Sequence, residues 1–210
     1  EKIKAYLSCH ERDRVSDQEL LFGKKSHFSW NLIYDSLLPY FDNSLSRLQQ
    51  VFLADYNGKL LYNFNPINTR IVKNFDIEVI TPLLNQNLIS YGLKINTPFK
   101  YNESKNIGKL PLRELLVKNN TDKLISKEKL GFNVNTINLW NLHGHKLCKE
   151  FLTESRIAKE GWINDEWIQK YINQKDLNFN YVNKFMGLLA FEIWYRLFIT
   201  KEMSSNDKLD

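Results

Sequence analysis

Apolar residues recur at spacings of three and four along most of this chain, which predicts helices packed through one face. The exception leads in: "IKAYLSC" reads as a strand over Ile3–Cys9, and the charged run "HERDRVSD" reads as a turn. "QELLFGKKSHFSWNLIYDSLLPYF" predicts a pair of helices, broken at Gly23 and stopped near Pro39. "NSLSRLQQVFLADY" repeats the pattern, with Asn43 or Ser44 as the N-cap and an end before "NGK". In "DIEVITPLLNQNLISYGLKI" the run Ile77 to Ile80 fits a strand or a helix, and Pro82 in a first helical turn favours the helix. Helices follow at "PLRELLVKN", "TINLWNLHGHKLCKEFL" and "NDEWIQKYINQ", with a loop at "KLGF". "NYVNKFMGLLAFEIWYRLFITKE" is the most apolar helix, and "MSSNDKLD" reads as a frayed tail. The expected organisation is a mostly α module over residues 1–202 and a tail over 203–210. The leading strand implies a sheet whose other strands lie outside these residues, since an isolated buried strand leaves its ladder unpaired.

Composition narrows this picture. With 210 residues, 43% hydrophobic and 13% aromatic, the chain has the material for a sizeable core. Its 29 basic and 24 acidic residues give a net charge of +5, but they are spread along the chain without a basic helix face, which argues against nucleic acid as a partner. Cys9 and Cys148 are too few for a disulfide framework or a cysteine metal site, so a reducing compartment, the cytoplasm, is expected. "FMGLLAFEIWYRLFI" is interrupted by Glu192 and Arg196 and falls short of the roughly eighteen apolar residues a membrane span needs. The chain opens at Glu1 almost directly on the predicted strand, as a piece of a longer protein would.

Candidate chemistry is sparse. Asp17 and Glu19 sit at the start of a helix just after the predicted strand, where carboxylates are favoured by exposed N–H groups, so N-capping by Ser16 or Asp17 is one reading. A magnesium ligand is the other, because a hard cation takes oxygen ligands and α/β sheets bind ligands at strand ends. His143 and His145 fall on different helix faces, and His10 and His27 are isolated, so no histidine constellation can be argued. Trp162, Trp167, Tyr171, Phe191, Trp194, Tyr195 and Phe198 recur at helical spacing and are expected to be packing.

The order and spacing of five segments carry more. "YLSCHERDRVSDQELLFGKK", "TRIVKNFDIEVITPLLNQNLISYGLKI", "IGKLPLRELL", "SKEKLGFNVNTINLW" and "FMGLLAFEIWYRLFI" together resemble the C-terminal part of the synthetase domain of glutamine-hydrolysing asparagine synthetases, over nearly all of the chain. The resemblance implies the helical C-terminal part of an α/β ATP-pyrophosphatase fold of the adenine nucleotide alpha hydrolase kind. It implies an ATP-dependent, AMP-forming amide ligase that adenylates a carboxylate such as aspartate and transfers ammonia from glutamine.

Residue by residue, the resemblance assigns Gly108, Lys109, Leu112 and Arg113 to the family's Gly-Lys-x-x-Leu-Arg motif, with Lys109 as catalytic residue and Lys109 and Arg113 at the ATP phosphates. It assigns Asp17 to Mg2+, with Glu19 or Gln18 in that place when the alignment runs back from "LFG" without a gap. Arg14 and Val15 replace glycines before the acidic pair, and Lys24 replaces one after Phe22. Arg14 also occupies the place of an acidic residue in asparagine-forming members, which points to another nucleophile, as in β-lactam, lasso-peptide or sugar-amidating relatives. In the middle motif Glu78, Val79, Pro82 and Leu84 are kept, while Ile80 replaces an arginine and Asn85 an aspartate. Arg70 matches the upstream arginine, with Thr69 in place of its aspartate, and Lys129, Gly131, Phe132 and Val134 match a later segment. The glutaminase domain and the Ser-Gly-Gly-x-Asp-Ser pyrophosphate loop are absent from these residues, so the chain is expected to need them as partners and to make no amide alone. A homodimer is compatible with this reading. A helical interaction module without catalysis is the remaining alternative, suggested by the lost glycines.

Overall fold

A computed structural model describes residues 1–11, 13–125, 135–174 and 176–209. In chain order the helices are α1 (Lys2–Ser8), α2 (Gln18–Leu21), α3 (Trp30–Phe41), α4 (Arg47–Ala54), α5 (Asn65–Lys73), α6 (Gln86–Lys94), α7 (Thr97–Lys100), α8 (Leu110–Lys118), α9 (Thr136–Leu139), α10 (His145–Leu152), α11 (Arg156–Lys159), α12 (Asp165–Ile172) and α13 (Phe179–Phe198). The mostly helical expectation holds. Among the described residues the one sheet is an antiparallel pair, β1 (Tyr101–Asn102) with β2 (Ile107–Gly108), in the register Tyr101 opposite Gly108. No helix among them is long and apolar enough to cross a membrane.

The leading segment is helical, not extended. None of the α1 residues is buried, and no described strand pairs with it, so its backbone groups bond within the segment. Two other boundaries differ. Helix α3 carries through Pro39 to Phe41, and the Asn43 side-chain amide donates to the carbonyls of Pro39 and Tyr40 at its end. The cap of α4 is Ser46, in a reciprocal box with Gln49, which satisfies two terminal N–H groups at once. Beyond α4 the backbone continues in wide helical turns over Asp55–Phe64 where an end before "NGK" was expected.

The chain divides into two compact units, Glu1–Ser36 with Asn133–Asp210, and Leu37–Phe132. In the second, the buried residues among those described are Phe41, Gln50 and Ala54, and Gln50 donates to the carbonyls of Phe41 and Asn43. The first holds the main hydrophobic core. Along α13, Val182, Phe185, Leu188, Leu189 and Tyr195 repeat at helical period and face Cys148, Phe151 and Leu152 of α10 and Trp167, Ile168 and Ile172 of α12. The Phe185 ring lies 5.8 Å from that of Trp140 and 5.4 Å from that of Trp167. Each such buried large side chain contributes about 1.5–3 kcal/mol. The aromatic cluster is therefore packing as expected, except that Trp194 and Phe198 are exposed. Met203, at the start of the expected frayed tail, packs on this core, and Glu202 pairs with Arg156.

The segment 13–25 is fastened to the same core. Val15 and Leu21 are buried in it, and Phe22 forms a bridge with Ile163. Gly23 N–H donates to the Trp162 carbonyl and Lys25 N–H to the Gly161 carbonyl, both at 2.9 Å. A Cβ on Gly23 would stand 2.2 Å from the Gly161 oxygen and 2.9 Å from the Trp162 carbonyl carbon, so two backbones meet there with no room for a side chain. Gly23→Ala is expected to lower stability by about 1–3 kcal/mol, as overpacking does. Gly187→Ala, where a Cβ in α13 meets nothing within 4 Å, should instead be neutral or stabilising. Denaturant midpoints of the two variants check this, and equal midpoints would refute the close approach.

Candidate functional site

Lys109 is positioned by a short hairpin. The Asn102 side-chain oxygen accepts from Ser104 Oγ and Lys105 N–H, and the Tyr101 hydroxyl donates to Asn106, which closes the turn between β1 and β2. Strand β2 ends at Gly108, and Lys109 then takes φ 59° and ψ 34° as the N-cap of α8, which carries Pro111 in its first turn. A side chain in the left-handed region costs of order 1–3 kcal/mol and persists only where the surroundings hold it. Here Arg113 holds it: its Nε donates to the Gly108 carbonyl at 3.0 Å, and its N–H to the Lys109 carbonyl at 3.0 Å. Lys109 itself is exposed, and among the described residues no carboxylate pairs with it. The result is an exposed ammonium on a fixed backbone.

Asp17 has a different setting. It occupies the N-cap place of α2 but makes no capping bond. Its carboxylate accepts from the Tyr171 hydroxyl at 2.6 Å and the Tyr181 hydroxyl at 2.9 Å, with Lys170 Nζ 3.5 Å away. Burial alone would raise the carboxyl, and the Tyr171 phenol, the Trp167 indole and the Tyr181 phenol outweigh it and hold the group below its usual value. The two phenols close the hydrogen bonds, whereas the buried Trp167 N–H closes none of its own. The phenols shift the other way. Tyr181 is pushed up to about 12, first by burial and then by its hydrogen bonds to Tyr171 and Asp17, and Tyr171 is raised by donating to Asp17. Glu19 is exposed.

A family model described as asparagine synthase matches residues 4–196. The chain belongs to the asparagine synthase family. No curated protein and no solved structure matches it. The family is one of ATP-dependent ligases.

Against the asparagine synthase motifs, the residues divide. Lys109 and Arg113 come together on one loop, although Arg113 spends its Nε on that loop's backbone and acts first as its support. Asp17 and Glu19 do not gather into a cation site: no group of three or more His, Cys, Asp or Glu side chains does so among the described residues. Mg2+ wants a near-octahedral oxygen shell, and Asp17 offers a single carboxylate already engaged by two phenols beside a lysine. As placed among the described residues, Asp17 and Glu19 do not by themselves fit a resident Mg2+. Asn85, in place of an aspartate, accepts from Asn87 N–H and caps α6, a service either residue performs. Lys129, Gly131, Phe132 and Val134 lie outside the described residues. Other candidates are structural: His145 Nε2 lies 2.9 Å from the Ile172 carbonyl, and burial pushes the Cys148 thiol up to about 12, far from a nucleophile's range.

Three residues escaped the sequence reading. Tyr171 counts there only as packing and Tyr181 is not singled out, and their partner Asp17 is 154 and 164 residues away along the chain. Glu192 counts only as an interruption of an apolar run, yet it is wholly buried. The Glu192 and Arg196 spacing of four, inside that apolar run, was the available signal of a buried ion pair.

Proposed function

We propose that the chain supplies one wall of an ATP-dependent, AMP-forming amide ligase, with Lys109 as the cation at the ATP phosphates. The observation that supports this most is Lys109 itself: a lysine kept in a strained left-handed conformation, exposed and with no carboxylate partner among the described residues, in the gapless sequence Gly108-Lys109-x-x-Leu112-Arg113. In the reaction a carboxylate oxygen attacks the α-phosphorus, pyrophosphate leaves, and an amine nitrogen then displaces AMP from the acyl carbon. Negative charge develops on phosphate oxygens in the first step, and a fixed ammonium stabilises it more in the transition state than in the ground state. A glutaminase and a Ser-Gly-Gly-x-Asp-Ser loop, contributed by other residues or another subunit, would complete the site in the cytoplasm. Ammonia from glutamine is the leading nucleophile. Arg14 favours a second reading with a different amine, because its guanidinium lies 4.8 Å from the Trp30 ring and pairs with Glu11 where an acidic group would handle ammonia.

The test is nucleotide turnover by the complete enzyme, scanned over amino-acid and peptide carboxylates. Carboxylate-dependent release of pyrophosphate with AMP carries the reading. Formation of ADP, or no turnover with any carboxylate, ends it.

A further inference from the structure

We infer that the Asp17 turn of this chain is a latch that holds the fold together and that it carries no divalent cation. The argument begins with the acceptor count. A carboxylate has about four lone-pair sites, and those of Asp17 face two phenol donors at 2.6 and 2.9 Å and an ammonium at 3.5 Å. A divalent ion approaching Oδ2 would meet Lys170, a positive charge, and would have to take the oxygen from Tyr171.

The rest of the turn points the same way. Val15, where the family pattern has a glycine for close approach to a ligand, is 3% exposed and part of the core. Asn180 donates from its side chain to the carbonyls of both Glu11 and Arg14 at 2.9 Å, and Lys184 pairs with Asp13 at 2.9 Å. On the other side of Asp17, Asn164 donates to the Leu20 carbonyl at 3.0 Å and its own N–H to that of Leu21 at 2.8 Å. Asp13, Asp17, the carbonyls of Glu11, Arg14, Leu20 and Leu21, and the N–H groups of Gly23 and Lys25 are thus spent on α12, α13 or the strap at 161–164. The turn closes the first unit by joining its beginning to its end.

Purified 210-residue chain tests this by thermal unfolding and by Mn2+ electron paramagnetic resonance, with Mn2+ as the probe for a divalent site. Millimolar Mg2+ or Mn2+ should leave the wild-type midpoint unchanged, and Asp17→Asn should lower it by roughly 5 °C or more while taking up as much Mn2+ as wild type. A wild-type midpoint raised by the metal but not in Asp17→Asn, or Mn2+ uptake lost in that variant, would overturn the latch. Should Asp17→Asn not fold, Tyr171→Phe with Tyr181→Phe serves, since it keeps the carboxylate and removes its two donors: a midpoint lowered by a similar amount supports the latch, and an unchanged midpoint refutes it. Neither readout involves ATP turnover, so the outcome is separate from the fate of Lys109.

Discussion

Replacing Glu192 by alanine is expected to destabilise the chain by about 3–5 kcal/mol, the range for breaking a buried charge pair by removing one partner. Glu192 lies in the apolar stripe of α13 and is wholly buried. Its Oε1 accepts from Arg156 N–H at 2.8 Å and Arg196 Nε at 2.7 Å, and its Oε2 from Ser155 Oγ at 2.8 Å and Ile157 N–H at 3.0 Å. One carboxylate thus caps the start of α11 from across the core and neutralises a guanidinium that also ties down the carbonyls of Phe151 and Glu154. Alanine leaves two N–H groups, a hydroxyl and a charge without their acceptor. Glu192→Gln keeps the volume but turns one acceptor into a donor facing donors, so it should fall between alanine and wild type. Ser155→Ala removes one bond and should cost about 1 kcal/mol. A graded series of urea midpoints in that order is the expected result. An alanine variant within 1 kcal/mol of wild type would mean that the capping carboxylate is dispensable. Whole-domain stability is only about 5–15 kcal/mol, so the alanine variant could be largely unfolded, and the glutamine and serine variants then carry the comparison.

How far the sequence disclosed this molecule depends on the range of the interaction involved. Helices α10, α12 and α13 were legible because their apolar spacing is local and strong. The first segment misled because Ile3, Ala5 and Leu7 alternate as in a strand, while the deciding factor, whether a neighbouring strand exists to pair with, is not local. Gly23 was visible as a helix break, but its reason, the backbone of Gly161 and Trp162 pressed against it, lies far along the chain. Asp17 shows the same limit more sharply. Motif resemblance supplied a metal, and only the folded chain brings Tyr171 and Tyr181 to the carboxylate. Lys109 is the converse case: its motif is contiguous, so the sequence alone singles it out as a candidate, although nothing in the pattern announces a left-handed backbone.

That backbone sharpens what Lys109 variants should do. If its ammonium stabilises charge on the ATP phosphates, Lys109→Ala in the complete enzyme should lower turnover roughly a hundredfold, about 2.7 kcal/mol, with a smaller change in ATP affinity. Lys109→Arg should not restore it, because a planar fork does not reproduce a compact point charge. Stability should move differently. Alanine keeps the cost of φ 59° and leaves the fold nearly unchanged, whereas Lys109→Gly relieves it and should stabilise the chain by roughly 1 kcal/mol while losing the same turnover. A glycine that is better for folding and worse for chemistry is the signature of strain retained for function. Pyrophosphate release and denaturant midpoints, measured on the three variants together, separate this from a solvated lysine at a helix start. That alternative expects the glycine variant to gain stability and keep its turnover, and such a result would remove Lys109 from the reaction.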